Sequence, residues 1–381
     1  MRVQLTSKTV GAALAAGLCL SGTVTARAET WFDEQTAGCL MQYFTDSDHV
    51  AVRSAIADYT VALRKASIAM HYNNERVVIP AIESPPGSQE AVDAITTASR
   101  PISGNAYSDF VKVRNEFEGS YRQGGIEAGY YYSGESDYIG QQVRASVDRD
   151  LRGDQLNVSV GASYGWDAIE PVQDDDTNTG ASSKKTTHFN VVATQVVTPS
   201  TMVRVGVEYN LVNGLQHNPY RNVYAGGTNV PEQHPDNRQR RDLFLKVNQY
   251  LPNRSSLKIN YRFYNDDWDI QSHEIGTRLS QYLVRGIYAS YEYRWYTQGS
   301  SYFYRNEYAT VNGIDGYRTG DYRMAVLASH LFGVALDFDL EKLEVKVPVL
   351  DRMGLRCNYE RYFNSNNYSA NFLTTQVTYR F

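Results

Sequence analysis

Between residues 322 and 340 the chain keeps one alternating phase without a slip. Tyr322, Met324, Val326, Ala328, His330, Phe332, Val334, Leu336, Phe338 and Leu340 all fall on the same side of an extended strand. Side chains alternate across a strand and recur every three or four residues along a helix, so the pattern excludes a helix here. His330 sits in this row and is expected to point outward or to an interface. The last strand repeats the pattern: Leu373, Thr375, Val377, Tyr379 and Phe381 share one side, and Thr374, Gln376, Thr378 and Arg380 share the other. Similar segments occur at 65–72, 110–119, 126–133, 138–149, 155–166, 189–193, 203–211, 243–247, 257–263, 275–279 and 287–295. Met353, Leu355, Cys357 and Tyr359 add one more.

About 14 strands (roughly 12–16) of this kind predict an all-β membrane protein, an antiparallel transmembrane β-barrel. Mean hydropathy is low, −0.47, because a lipid-facing barrel needs an apolar residue only at alternate positions. The 30 tyrosines, against 13 phenylalanines and 4 tryptophans, suit two membrane interfaces, where an apolar ring carries a wet hydroxyl. With the C-terminus on one side, the connections there are short or moderate: 120–125, 150–154, 198–200, 251–255, 282–286 and 341–352. The opposite connections at 167–186, 212–241 and 297–320 are long and polar, the asymmetry of a bacterial barrel. The terminal strand resembles the closing strand of a Gram-negative outer-membrane barrel. In that reading Val377, Tyr379 and Phe381 form the signal read by the barrel-assembly machinery, and outer-membrane lipid and lipopolysaccharide surround the protein.

The first 28 residues read as a secretory signal peptide. Arg2 and Lys8 are followed by an apolar stretch over 10–20 and an Ala26-Arg27-Ala28 cleavage site, so the mature chain is expected to begin at Glu29. Removing Arg2, Lys8 and Arg27, with no acid, takes the formal charge from −5 to −8. Residues 29–64 break the strand pattern. Val52, Ile56, Tyr59 and Leu63 have helical spacing, with Asp46 or Ser47 as cap. This predicts a short amphipathic helix, either periplasmic or tucked into the lumen as a plug, before a barrel over 65–381. Cys39 and Cys357 survive processing, and Cys357 shares the outward phase of Met353 and Leu355, which favours a small apolar residue over a disulfide partner.

The opposite, inward phase carries Lys65, Arg144, Asp148, Arg204, Glu208, Lys258, Arg262, Glu274, Arg278, Glu292, Arg294 and Arg323. Such evenly mixed signs describe a hydrated lumen. Hairpin register puts Glu274 opposite both Arg262 and Arg294, and opposite charges facing each other stabilise a ladder. An Arg262–Glu274–Arg294 cluster, with Arg278 and Arg323 adding basic excess, is therefore expected on the wall. It reads either as a constriction with a mild anion preference or as charge pairing that stiffens the wall.

Catalytic and metal-binding readings are weak. Ser272 and His273 stand near Asp266 and Asp267, but sequence neighbours point to opposite sides of a strand. The acidic run 174–180 lacks a calcium loop's glycine position and its bidentate glutamate. His217 and His234 share a long loop without ligand spacing. No cofactor, resident metal or nucleic-acid partner is expected.

More specific stretches lie in the middle of the chain. They are Pro231-Glu232-Gln233-His234-Pro235-Asp236, then 261–273 (YRFYNDDWDIQSH), then Arg294-Trp295-Tyr296-Thr297-Gln298, Tyr302-Phe303-Tyr304 and Asp321-Tyr322-Arg323. Their succession resembles an uncharacterised bacterial outer-membrane β-barrel family (domain of unknown function family 3570), with Phe263 and Trp295 as departures. The resemblance implies the fold and the outer membrane as location, and no activity. The leading expectation is a porin-like channel for small polar or anionic solutes. The alternative is a sheath around a periplasmic, cytochrome-like partner, with an envelope enzyme or a surface receptor behind it.

Overall fold

The computed structural model describes residues 32–79, 110–153, 155–171, 180–226, 228–308, 316–344, 347 and 349–381. The strands are β1 (Phe32–Asp46), β2 (Ala51–Leu63), β3 (Ala66–Ile79), β4 (Phe110–Gln123), β5 (Ile126–Gly134), β6 (Tyr138–Leu151), β7 (Leu156–Ile169), β8 (Ser182–Thr198) and β9 (Thr201–Gly214). They continue as β10 (Asn222–Ala225), β11 (Thr228–Pro231), β12 (Asn237–Leu251), β13 (Ser255–Asp266), β14 (Gln271–Val284), β15 (Ile287–Gln298), β16 (Leu327–Asp339), β17 (Met353–Asn364) and β18 (Ser369–Arg380). Sixteen of them close into one antiparallel barrel in sequence order, and β10 and β11 form a separate two-stranded ribbon. β1 pairs with β18, Cys39 opposite Val377, and this removes the last free edge.

Every segment predicted as a strand overlaps a strand. The two additional strands come from the segment predicted as a helix. Residues over 29–64 are neither helix nor plug where described: β1 and β2 are wall strands, with Leu40 facing Ile56. Ladder hydrogen bonds along β18 and β3 outweigh the helical spacing of Val52, Ile56, Tyr59 and Leu63, which β2 divides between its two faces. The long strand predicted over 322–340 is also shorter. Tyr322–Met324 is a single 3-10 turn, capped by the Asp321 side chain, and β16 begins at Leu327.

Exposure follows the predicted phase. Val143, Val160, Val205, Val207, Leu243, Leu245, Ile259, Ile275, Phe332, Val334 and Leu373 all face out and are exposed. An apolar outer band on a closed sheet that satisfies its own backbone is what a bilayer requires, so this is a transmembrane barrel. His330 lies on the outward face, its Nδ1 3.0 Å from the Tyr293 hydroxyl. Cys39 on β1 and Cys357 on β17 are separated by β18, and no disulfide joins the two. The first 28 residues and 174–179 lie outside the described residues.

The longest described connections lie at one end of the barrel, among short turns such as 135–137 and 267–270, while 340–352 is the longest described connection at the other. This latter end has two-residue turns at Arg64-Lys65, Gly124-Gly125, Pro199-Ser200 and Arg285-Gly286, and it also holds the C-terminus. The other end holds the connections 215–236 and 299–326, which carry most of the buried side chains outside the wall.

Candidate functional site

Arg262 lies directly opposite Glu274 across β13 and β14, as the hairpin register predicts. The other half of the predicted cluster is displaced by two residues. Glu274 faces Tyr296, and Arg294 faces Gly276. The cause is the β14–β15 hairpin, which turns at Arg285-Gly286 with Gly286 at φ 77° and shifts register around Leu283. Arg294 still reaches Glu274 diagonally, Nη1 to Oε2, at 4.0 Å. The Arg262 donors go elsewhere: Nε donates to Asp242 Oδ1 at 2.6 Å and Nη2 to Glu208 Oε2 at 3.4 Å. Arg278 faces Glu292 and forms an ion pair with it. Arg323 is off the wall, in the 299–326 connection, where its Nε and Nη2 donate to Asp321 at 2.8 and 2.6 Å. The five residues thus divide into a wall group and a loop residue.

Most inward charges are paired in this way. Lys112 contacts Glu135 at 2.5 Å and Asp137 at 2.9 Å, Lys184 contacts Asp167 at 3.0 Å, and Arg356 contacts Asp337 at 3.0 Å. The wall of β9, β12 and β13 differs. Arg204 stands directly opposite Lys246, and Lys258 directly opposite Arg278. Like charges in those positions repel. Arg204, Lys246 and Lys258 are exposed, and among the described residues none of them has a carboxylate partner. Sequence phasing places Arg204 and Lys258 inward. It misses Asp242 and Lys246, although the outward Leu243 and Leu245 on either side imply them.

At the long-loop end the wall meets a cap. A cavity of about 760 Å³ is bounded by inward residues of β4 to β8 and of β12, and by residues 215–221, Glu232, His234, Asp321 and Arg323 of the two long connections. The connections are locked together. Gln233 and Arg318 exchange backbone hydrogen bonds at 3.0 and 2.8 Å. Thr319 Oγ1 donates to Glu232 Oε1 at 2.5 Å, and the Asn218 N–H donates to Glu232 Oε2 at 3.2 Å. Arg221 Nη1 lies 3.0 Å from Asp321 Oδ2, and His234 Nε2 lies 3.3 Å from Glu232 Oε1. Tyr220 reaches across three strands to donate to Asp137 Oδ2 at 2.6 Å. Beneath the lock is a small aromatic core. His234, Trp268 and Phe303 have ring centroids 5.2–5.3 Å apart, and the Arg238 guanidinium lies 4.0 Å over the Trp268 ring.

Burial alone would raise the Glu232 and Asp321 carboxyls. The His234, Arg221 and Thr319 donors around Glu232, and Arg323 and Arg221 around Asp321, instead hold both below the ordinary carboxylate range. His217 moves the other way: burial, with His234 beside it, lowers its imidazole. The rings of His217 and His234 come within 6.0 Å, and the described residues contain no metal-ligand group of three or more. Ser272 is buried inside the wall, while His273 is exposed outside it against the Tyr261 hydroxyl at 2.9 Å, so the two are on opposite faces.

The lock gathers the distinctive stretches of the sequence: Glu232 and His234 from the first, Asp266 and Trp268 from the second, then Phe303, Asp321 and Arg323. Fold and site together define a membrane-spanning β-barrel with a charged lumen and a loop-built cap over one mouth. The chain belongs to the family described as "Protein of unknown function (DUF3570)", which matches residues 81–351. None of the curated proteins matches it. Among solved structures, Pseudomonas aeruginosa OccD3 (OpdP) is similar at 12% identity, covering 93% of this chain and 92% of its own, with a TM-score of 0.44. Acinetobacter baumannii OccAB3 is similar at 10% identity, covering 91% and 98%, with a TM-score of 0.39. Pseudomonas aeruginosa OpdK, solved with vanillate, is similar at 10% identity, covering 92% and 98%, with a TM-score of 0.42. What this chain does must be read from its own residues.

Proposed function

We propose that the protein is an outer-membrane channel for small polar solutes that favours anions. The observation that carries this is the wall of β9, β12 and β13. In a lumen whose charges are mostly paired among the described residues, Arg204, Lys246 and Lys258 are left without acids along one stretch of wall, and Arg204 and Lys246 face each other directly. Uncompensated cations along a polar passage lower the cost of bringing an anion into it. The wall group of Arg262, Glu274, Arg294 and Arg278 borders this stretch and shapes it.

In this reading residues 1–28 export the chain and are cleaved near Ala28. The terminal face of Val377, Tyr379 and Phe381 is presented to the barrel-assembly machinery, and lipopolysaccharide surrounds the capped, long-loop end. The capped mouth opens outward and the short turns are periplasmic. Liposome swelling tests the reading. Proteoliposomes should admit acetate faster than an uncharged solute of similar size, and Arg204→Gln with Lys246→Gln should remove most of that difference. Swelling no faster than that of empty liposomes would rule out a channel.

A further inference from the structure

Among the described residues, the cavity under the cap contains one cation left uncompensated. Arg240, on the inward face of β12, lines this cavity. By register it lies between Asn210 on β9 and Asp266 on β13. Both nearby carboxylates are committed elsewhere. Asp266 Oδ2 accepts from Arg238 Nε at 2.8 Å and Nη2 at 2.5 Å, and also from the Tyr264 hydroxyl at 2.5 Å. Asp242 accepts from Arg262 at 2.6 Å. The Arg240 Nε is buried with no hydrogen-bond partner, and among the described residues no acid pairs with its guanidinium. The residue is half-buried and its Nε is withdrawn from solvent without an acceptor, which is costly, and a planar oxyanion is the group its fork fits best. The other cations of the cavity are occupied: Lys112 and Arg114 by Glu135, Lys184 by Asp167, Arg323 by Asp321.

From this geometry we infer that the capped cavity is a binding site for a small organic monoanion, a carboxylate held on Arg240. One uncompensated positive charge, with Asp266 and Asp242 close by, suits a single negative charge and disfavours a dianion such as phosphate. The cavity also offers apolar surface from Ile169, Val212, Leu215 and Met324, so a carboxylate with an apolar body fits better than a bare ion. The site is distinct from the cations Arg204 and Lys246 deeper on the wall. It deepens the channel reading by making the capped mouth a place where solute is held before it passes.

Calorimetric titration of the full-length protein in detergent at low ionic strength tests the site without requiring conductance. The probes are benzoate, its neutral counterpart benzamide, and inorganic phosphate. Benzoate should bind at least tenfold more tightly than benzamide or phosphate. Arg240→Gln should weaken benzoate about tenfold or more, Arg240→Lys should restore part of the affinity, and Arg285→Gln, in the exposed turn at the other end of the barrel, should leave it unchanged. Arg240 has no protein ion pair to lose, so the heat-modifiable gel mobility of a folded barrel should persist in each variant. Benzamide binding equal to benzoate, or unchanged affinity in Arg240→Gln, would overturn the proposal. Phosphate binding more tightly than benzoate would overturn its monoanion assignment. Anion-selective flux without benzoate binding would defeat this site alone, whereas binding without flux would defeat the channel reading and leave the site standing.

Discussion

Glu232 is the residue on which the cap depends. It is 3% exposed, and its two oxygens meet Thr319, Gly320, Asn218 and His234, with Arg221 beyond at 3.9 Å. Removing one partner of a buried charge set leaves the others desolvated and costs about 3–5 kcal/mol. Glu232→Ala should therefore loosen the two connections locally. Hydrogen exchange should speed up over 215–236 and 299–326 while the barrel strands keep their protection; unchanged exchange in the connections would contradict this role. A pH dependence follows from the same groups. Glu232 and Asp321 are depressed in the folded state, so their stabilisation is fully present above the ordinary carboxylate range. It is lost as pH falls through the depressed values, so protease resistance of the cap should hold to about pH 4 and fail below it. A cap that opens between pH 7 and pH 5 would point to other groups. The motif residues stand out in the sequence, but their meeting does not, because Glu232 and Thr319 are 87 positions apart and no local spacing encodes that contact.

At the scale of elements, alternation made fourteen strands legible because lipid demands it of every outward position. β1 and β2 were obscured because their faces are less sharply divided. Outward-phase Ala55 and Ala57 are small, and inward-phase Leu40, Phe44 and Ile56 are apolar. The displaced half of the charge cluster had a different cause. The turn at Arg285-Gly286, in place of one over 282–286, and a one-residue bulge near Leu283 together move the pairing by two residues and leave the inward phase unchanged. Packing across the ladder is legible only in coordinates. A Cβ on Gly206 would lie 2.3–3.0 Å from three ring atoms of Phe244, which is buried on the inner face of β12. Gly206→Ala should therefore cost about 1–3 kcal/mol by overpacking, read as a lower temperature for loss of the heat-modifiable band. Phe244→Leu in the same chain should recover much of that loss. A wild-type transition in Gly206→Ala would show that the ring moves freely.

The whole molecule is held by closure. β18 joins β17 on one side and β1 on the other, and the Phe381 N–H still donates to Gln35 O at 3.1 Å beyond the last strand residue. The Tyr379 and Phe381 rings contact each other at 4.8 Å on the outward face. Deleting Phe381 should reduce the folded, outer-membrane fraction several-fold while removing little from the wall itself; normal insertion would argue against a terminal assembly signal. The central claim, an anion-favouring passage, is tested most directly by the reversal potential of the reconstituted protein across a planar bilayer in a KCl gradient. The account predicts single-channel steps with a reversal potential shifted toward that of chloride, and a shift toward zero when Arg204, Lys246 and Lys258 are all replaced by Gln. Cation selectivity, or a selectivity that ignores those three residues, would contradict it.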